Sequence, residues 1–384
     1  MITKPKTINE SSTIWRLLQL MEEKNASDLF LTMGKPPTYK IDGALRSFFI
    51  QELNEEDITD LINEVITDEH QQALAQELEA NFALTDPEIG RFRFNIFQQQ
   101  NHYGMVIRRI NTHIPDMEEL GLPTALEKLS TAKRGLILFV GATGSGKSTS
   151  LASIIDHCNR HRDAHIVTIE DPVEFIHQHK RSIITQREVG IDTKSFDNAL
   201  INTLRQAPDI IVIGEIRNKE TMEHAIAFSE TGHLVFATLH ANNANQALDR
   251  IINFFPVEKH NQLLLDLSLN LKAILAQRLI PSVSGKGRCL ASEVLINTPY
   301  IASSIQKGDI SSIKEAIKQG QQYQMQSFDQ ALYQLYRQGK ISADDALLHA
   351  DSANEVRLMI KLDEAEDPES RNKAIEGLSL QSKF

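Results

Sequence analysis

The consecutive residues Gly141, Ala142, Thr143, Gly144, Ser145, Gly146, Lys147, Ser148 and Thr149 match the pattern G-x-x-x-x-G-K-[ST]. Each type in it has a chemical task. Glycines let successive backbone N–H groups converge on phosphate oxygens at a helix start. Lys147 can reach β- and γ-phosphates, and the Ser148 hydroxyl can ligate Mg²⁺. The apolar run Leu136–Val140 precedes the pattern and Leu151–Ile155 follows it, which supplies the required strand–loop–helix setting. A flexible Gly/Ser turn would need neither flank. The expected ligand is a nucleoside triphosphate, ATP with Mg²⁺.

The elements that must position these groups follow from about Leu136, where apolar runs alternate with helical stretches as in a parallel sheet. His165–Ile169 ends at Glu170-Asp171-Pro172-Val173-Glu174, Ile210–Ile213 at Gly214-Glu215-Ile216-Arg217, and Leu234–Leu239 at His240-Ala241-Asn242. Parallel strands share one C-terminal edge, where α/β proteins bind ligands. Lys147, Glu170, Glu174, Glu215, Arg217 and His240 should therefore surround one nucleotide. Glu215, just beyond an apolar strand, is the expected water-activating carboxylate. Asp209 begins that strand, and about five residues at ~3.3 Å each put it ~16 Å from the ligand edge, so a structural role is expected. Glu170 and Glu174 can hold Mg²⁺ through waters, position the attacking water, or simply form a solvated acidic loop. His240 lies at the correct end to sense the γ-phosphate and His233 at the other, where it can bridge to a neighbour; structural roles stay open for both. Arg91, Arg93, Arg108 and Arg109 are expected on the exposed sides of two strands nearer the N-terminus. They are either solvated or a source of positive charge for phosphoryl transfer.

With 384 residues, two domains are expected. A composition 41% hydrophobic and 24% charged fits a soluble globular protein, and the net charge of −11 argues against coating nucleic acid. Cys158 and Cys289 form no CxxC pair, so neither a disulfide framework nor a cysteine zinc site is indicated and a reducing compartment fits. The opening residues lack an apolar signal core. Leu263–Ile280 has apolar residues at helical spacing broken by Asp266, Lys272 and Arg278, which predicts a core helix and at most peripheral membrane association. The expected divisions are an α+β unit over 1–111, a linker over 112–122, an α/β domain with C-terminal helices over 123–363, and a polar tail over 364–384. Within the first, Asp28–Met33 and Thr38–Ile41 read as strands, Asn54 as a helix cap, and Gly90–Ile96 as a strand with Phe92, Phe94 and Ile96 inward. Beyond residue 280, a hairpin-like stretch around Ser284–Gly287 precedes Cys289–Ile296, and Ile301–Lys318, Ser327–Gln338 and Ser342–His349 read as helices.

The P-loop, Thr168–Phe175, Leu204–Arg217, and Thr231-Gly232-His233 with Thr238-Leu239-His240 occur in this order. Together they resemble the Walker A, Asp-box, Walker B and His-box set of the secretion ATPases of type II secretion and type IV pili. The likeness runs from about Ser27 to Leu347. Ala26–Thr32, Ile252–Pro256 and Met325–Leu332 resemble the PilT/PilU-type retraction branch, and the four-cysteine zinc module of the extension and type II secretion branch is missing. Glu315–Gly320 matches the AIRAGA retraction motif only in part, and Asn218 stands where Asp often follows the Walker B arginine, which fits an auxiliary retraction motor. The resemblance implies a homohexamer with an N-terminal PAS-like domain and a C-terminal RecA-like P-loop domain. It implies catalysis by Glu215, an Asp box of Glu170 and Glu174, and action of Arg91, Arg93 and Arg108 from the N-terminal domain. Its implied partners are a PilT-like retraction ATPase and an inner-membrane pilus platform protein, at the cytoplasmic face of the bacterial inner membrane. A secretion or pilus-assembly motor, and a weakly hydrolysing ATP-binding adaptor, are the alternatives.

Overall fold

The computed structural model describes residues 12–41, 43–86, 88–110, 113–285 and 287–366. Two compact units emerge, one from residues up to Ile114 with Pro172–Gln178 and Arg187–Ser195, the other from the remainder.

The first unit builds an antiparallel sheet and helices from alternating and helix-periodic stretches. Its elements are α1 (Thr13–Glu23), β1 (Asp28–Leu31), β2 (Thr38–Ile41), β3 (Ala44–Ser47), α2 (Glu55–Val65), α3 (Asp68–Glu77), β4 (Glu79–Asp86), β5 (Gly90–Gln99) and β6 (His102–Ile110). The six strands lie in the order β3-β2-β1-β6-β5-β4. α2 starts where Asn54 accepts from the Asp57 N–H while the Asp57 carboxylate accepts from the Asn54 N–H, both at 2.9 Å. Ile58, Leu61, Ile62 and Val65 then recur at helical spacing and are buried. β5 alternates as expected, with Phe92, Phe94 and Ile96 wholly buried. They join Ile14, Leu18, Met21 and Leu29 in one core.

The second unit opens with α4 (Ala125–Ser130), β7 (Gly135–Val140), α5 (Lys147–His161), β8 (His165–Glu170), β9 (Ile183–Glu188, whose last two residues belong to the first unit) and α6 (Phe196–Thr203). It continues with β10 (Ile210–Ile213), α7 (Lys219–Glu230), β11 (Leu234–Leu239), α8 (Ala244–Asn253), α9 (His260–Asn270), β12 (Leu271–Pro281) and β13 (Arg288–Ile296). α10 (Pro299–Gln306), α11 (Ser311–Gln319), α12 (Phe328–Arg337), α13 (Ala343–Leu348) and α14 (Ala353–Glu366) complete it. The sheet order is β13-β12-β7-β11-β10-β8-β9. β8, β10, β11, β7 and β12 pair in parallel, and β13 runs antiparallel to β12. β7, β10 and β11 are buried at every residue, which is why they read as unbroken apolar runs.

Two expectations need correction. Leu263–Ile280 is not one helix: α9 ends at Asn270 and the chain enters β12, clamped between β7 and β13. Ladder partners on both sides decide the conformation there, overriding the helical spacing. Ile301–Lys318 is broken into α10 and α11 at Gly308, which takes φ +73°. Met117 and Leu122, within the expected linker, are buried with Leu126, Ile137 and Phe139 in the second unit's core. Asn111, Thr112, Lys286 and the tail from 367 lie outside the described residues.

Candidate active site

β7 carries the chain to the sheet edge, and the loop after it turns into α5. Gly141, Gly144 and Gly146 adopt φ of +158°, +76° and +91°, the region that favours glycine. A Cβ on Gly141 would lie 2.2 Å from Ser145 Oγ and 2.9 Å from the Gln277 carbonyl oxygen. The loop is therefore lined by backbone, and no side chain caps α5, whose N-cap is Gly146. Lys147 is 9% exposed and donates from Nζ to the carbonyls of Gly141 (2.8 Å) and Ala142 (2.9 Å). The Ser145 hydroxyl is buried without a hydrogen-bond partner among the described residues. An uncapped positive helix end, a lysine folded over the loop and a buried orphan hydroxyl together suit a polyphosphate. Ala142, Thr143 and Gly144 are exposed, and Ser148 and Thr149 half-buried on the first turn of α5.

Two neighbouring strands bring the acid and the histidine together. The Glu215 carboxylate accepts from Arg217 Nε at 2.7 Å and lies 3.2 Å from His240 Nε2. Arg217 Nη1 donates to Asp171 at 3.0 Å. The bond to Glu215 is the largest influence holding the Arg217 guanidinium protonated. The geometry needs Gly214, whose Cβ would meet the Ile169 carbonyl oxygen at 3.0 Å and Glu170 Cα at 3.1 Å. Thr238 Oγ1 donates to the Gly214 carbonyl at 2.5 Å, tying β11 to the turn that carries Glu215. A cavity of about 530 Å³ opens beside His240 and Ala142, with Gln246, Asp249 and Arg250 of α8 on its wall.

The strand order spaces these groups. β10 lies two strands from β7 and β8 three, so at ~4.8 Å per strand their ends stand roughly 10 Å and 14 Å from the P-loop strand. That leaves a phosphate chain's length between the loop and Glu215. Glu170, at the end of β8, accepts from Thr168 Oγ1 (2.7 Å) and Gln186 Nε2 (3.2 Å). Glu174 is exposed and belongs to the first unit. Among the described residues no three His, Cys, Asp or Glu side chains form a metal cluster. The oxygen donors on this edge, the Ser148 hydroxyl and the Glu170 carboxylate, are of the type that suits Mg²⁺, which keeps waters and draws ligands from phosphates.

Asp209 caps the far end of its strand, accepting from the His165 N–H at 2.8 Å. His233 turns back on its own loop, 3.0 Å from the Phe228 carbonyl oxygen and 3.1 Å from Thr231 Oγ1. In the first unit, Arg93 and Arg108 are directly opposed across β5 and β6, with Arg91 opposite Ile110. Arg93 faces the wholly buried Glu188 carboxylate at 3.7 Å, and Arg108 bonds Asp28 at 2.8 Å. Burial raises the Glu188 pKa, partly offset by Arg93. Arg109 is opposite buried Phe92, so it lies on the inner face rather than the exposed one, bonded to Glu22 and Asn25. Sequence reasoning gave no role to Asp171, Gln186 or Gln277, whose amide donates to Ser150 of α5 at 2.6 Å. Their polarity beside apolar strands was the available signal.

The family model for type II/IV secretion system proteins matches residues 12–362. The type IV pilus ATPase PilU of Pseudomonas aeruginosa is 55% identical over 95% of this chain and 96% of its own length. PilT of the same organism, described as a type IV pilus retractation ATPase, is 39% identical over 87% of this chain and 96% of its own. Among solved structures, the pilus retraction motor PilT with bound ADP superposes with a TM-score of 0.83 at 40% identity, covering 90% of this chain and 99% of that one. The Legionella pneumophila ATPase DotB gives a TM-score of 0.73 at 25% identity over 91% of this chain and 97% of that one. The chain belongs to the type II/IV secretion system protein family.

Proposed function

We propose that this protein is an ATPase motor of the type IV pilus machinery that powers or assists pilus retraction. The observation carrying this is the Glu215 carboxylate held between Arg217 and His240 on the sheet edge that also bears the P-loop. ATP phosphates bind the backbone of Gly141–Thr149 and Lys147. Glu215 orients and deprotonates the attacking water, while His240 and Arg217 fix its carboxylate. Mg²⁺ fits at Ser148, with Glu170 and Glu174 acting through waters, and would neutralise charge on the phosphates. Arg91, Arg93 and Arg108 supply further positive charge to the transition state from the N-terminal domain. The working unit in this reading is a homohexamer of PAS-like (1–111) and RecA-like (123–363) domains joined by a linker at 112–122, with a polar tail over 364–384, moved by ATP-driven domain rotation. It works beside a PilT-like ATPase and an inner-membrane platform protein, on the cytoplasmic face, without nucleic acid. The 55% identity to PilU, described as a type IV pilus ATPase, and the 39% identity to PilT, described as a retractation ATPase, support this reading.

The test is a strain carrying Glu215→Gln at the native locus, with labelled pili counted and timed. Assembled pili that fail to shorten, or shorten slowly when load is applied, are expected. Failure to assemble pili at all would move the protein to the assembly branch.

A further inference from the structure

β13 is apolar from Leu290 to Ile296 except for Ser292 and Glu293, and Glu293 is 3% exposed. A carboxylate is kept in such a place only by a partner. Its Oε1 accepts the N–H of Ala244, the first residue of α8, at 2.8 Å. The Asn243 side chain caps only the Gln246 N–H, at 2.8 Å, so the Ala244 N–H at the buried start of α8 has no acceptor within its own helix. What the carboxylate adds is a long-range tie between the start of α8 and the sheet. A second tie comes from β12, where Arg278 Nη2 points at the Asn242 carbonyl oxygen from 3.5 Å. The guanidinium is itself fixed: it donates to Asp351 Oδ1 at 2.7 Å and to the His349 carbonyl at 2.8 Å, and it stacks 3.8 Å from the Phe328 ring centre. The Asp351 N–H in turn donates to Asp329 Oδ1 at 2.8 Å. Both ties grip the backbone of Asn242–Ala244, and His240 stands two residues before it, 3.2 Å from Glu215.

We propose that Glu293 and Arg278 are positioning residues for hydrolysis, holding the Asn242–Ala244 backbone so that His240 stays against Glu215; this rests on the ATPase reading above. Neither side chain lines the cavity beside His240. Arg278 also makes the C-terminal helices part of the same support, because the connection between α13 and α14 anchors its guanidinium.

The experiment compares ATP turnover and ADP binding for the full chain and two variants. Glu293→Gln keeps an acceptor oxygen for Ala244 and should retain the wild-type kcat. Glu293→Leu removes it and should lower kcat at least about tenfold, as a misplaced catalytic group does, with KM and ADP affinity within about twofold. If the leucine variant does not fold, Arg278→Lys, whose single ammonium lacks the fork that reaches His349, Asp351 and Asn242 from two separate nitrogens, should show the same split. A folded leucine or lysine variant with wild-type kcat overturns the proposal. So does a parallel fall in kcat and ADP affinity, or a glutamine variant as slow as leucine. A wild type without turnover overturns the underlying ATPase reading, which the variants do not address.

Discussion

Glu293→Gln should stabilise the protein at pH 8 and much less at pH 5. Burial pushes the Glu293 carboxyl from its ordinary 4.5 up to about 7. The Ala244 N–H, Arg278 of β12 and Lys314 of α11 face it and favour the anion, Asp351 opposes it, and burial outweighs them all. Because the folded pKa is the higher one, the native state retains a proton that the unfolded chain releases between pH 4.5 and 7. Stability from this group is therefore complete below that window and declines as pH rises through it. The full penalty is about 3 kcal/mol at ~1.4 kcal/mol per pH unit, and less than about 1 kcal/mol of it has accrued by pH 5. Glutamine carries no such penalty, so its advantage should grow by about 2 kcal/mol from pH 5 to pH 8, roughly 4–8 °C in Tm. Paired thermal melts across that range read it directly, because every other titrating group is common to both proteins. A Tm difference that is flat with pH, or larger at pH 5, would refute the reasoning.

Two other substitutions separate structure from chemistry. Asp209→Ala should lower stability by about 0.5–1.5 kcal/mol, the net worth of an exposed hydrogen bond to the His165 N–H, while kcat of the folded protein stays within about twofold; denaturant unfolding and turnover check both. Gly141→Ala should weaken ADP binding at least about tenfold, since its methyl group would meet the fixed Gln277 carbonyl oxygen at 2.9 Å and fill the cradle; calorimetry checks it.

The phosphate loop and the tips of β8, β10 and β11 were legible in the sequence because every link is local: an apolar run, a polar cluster, then a helix. β12 was not, because Leu271, Ile274 and Leu275 satisfy helical spacing while the ladder to β7 decides the conformation. Arg109 was misplaced for a related reason. Its face depends on lying opposite Phe92, a register set by the pairing of β5 with β6 and invisible in either strand alone. Glu293 and Arg278 act over long sequence separations, and only a charged residue within an apolar strand hinted at them.

The most direct measurement is Mg²⁺-dependent ATP turnover by the purified chain beside Glu215→Gln, with ATP binding measured in parallel. Turnover by the wild type, and a variant that binds ATP but hydrolyses it at least about a hundredfold more slowly, is the expected result. A variant as fast as the wild type would remove Glu215 from the chemistry. A wild type silent both alone and with a PilT-like partner would contradict the motor itself.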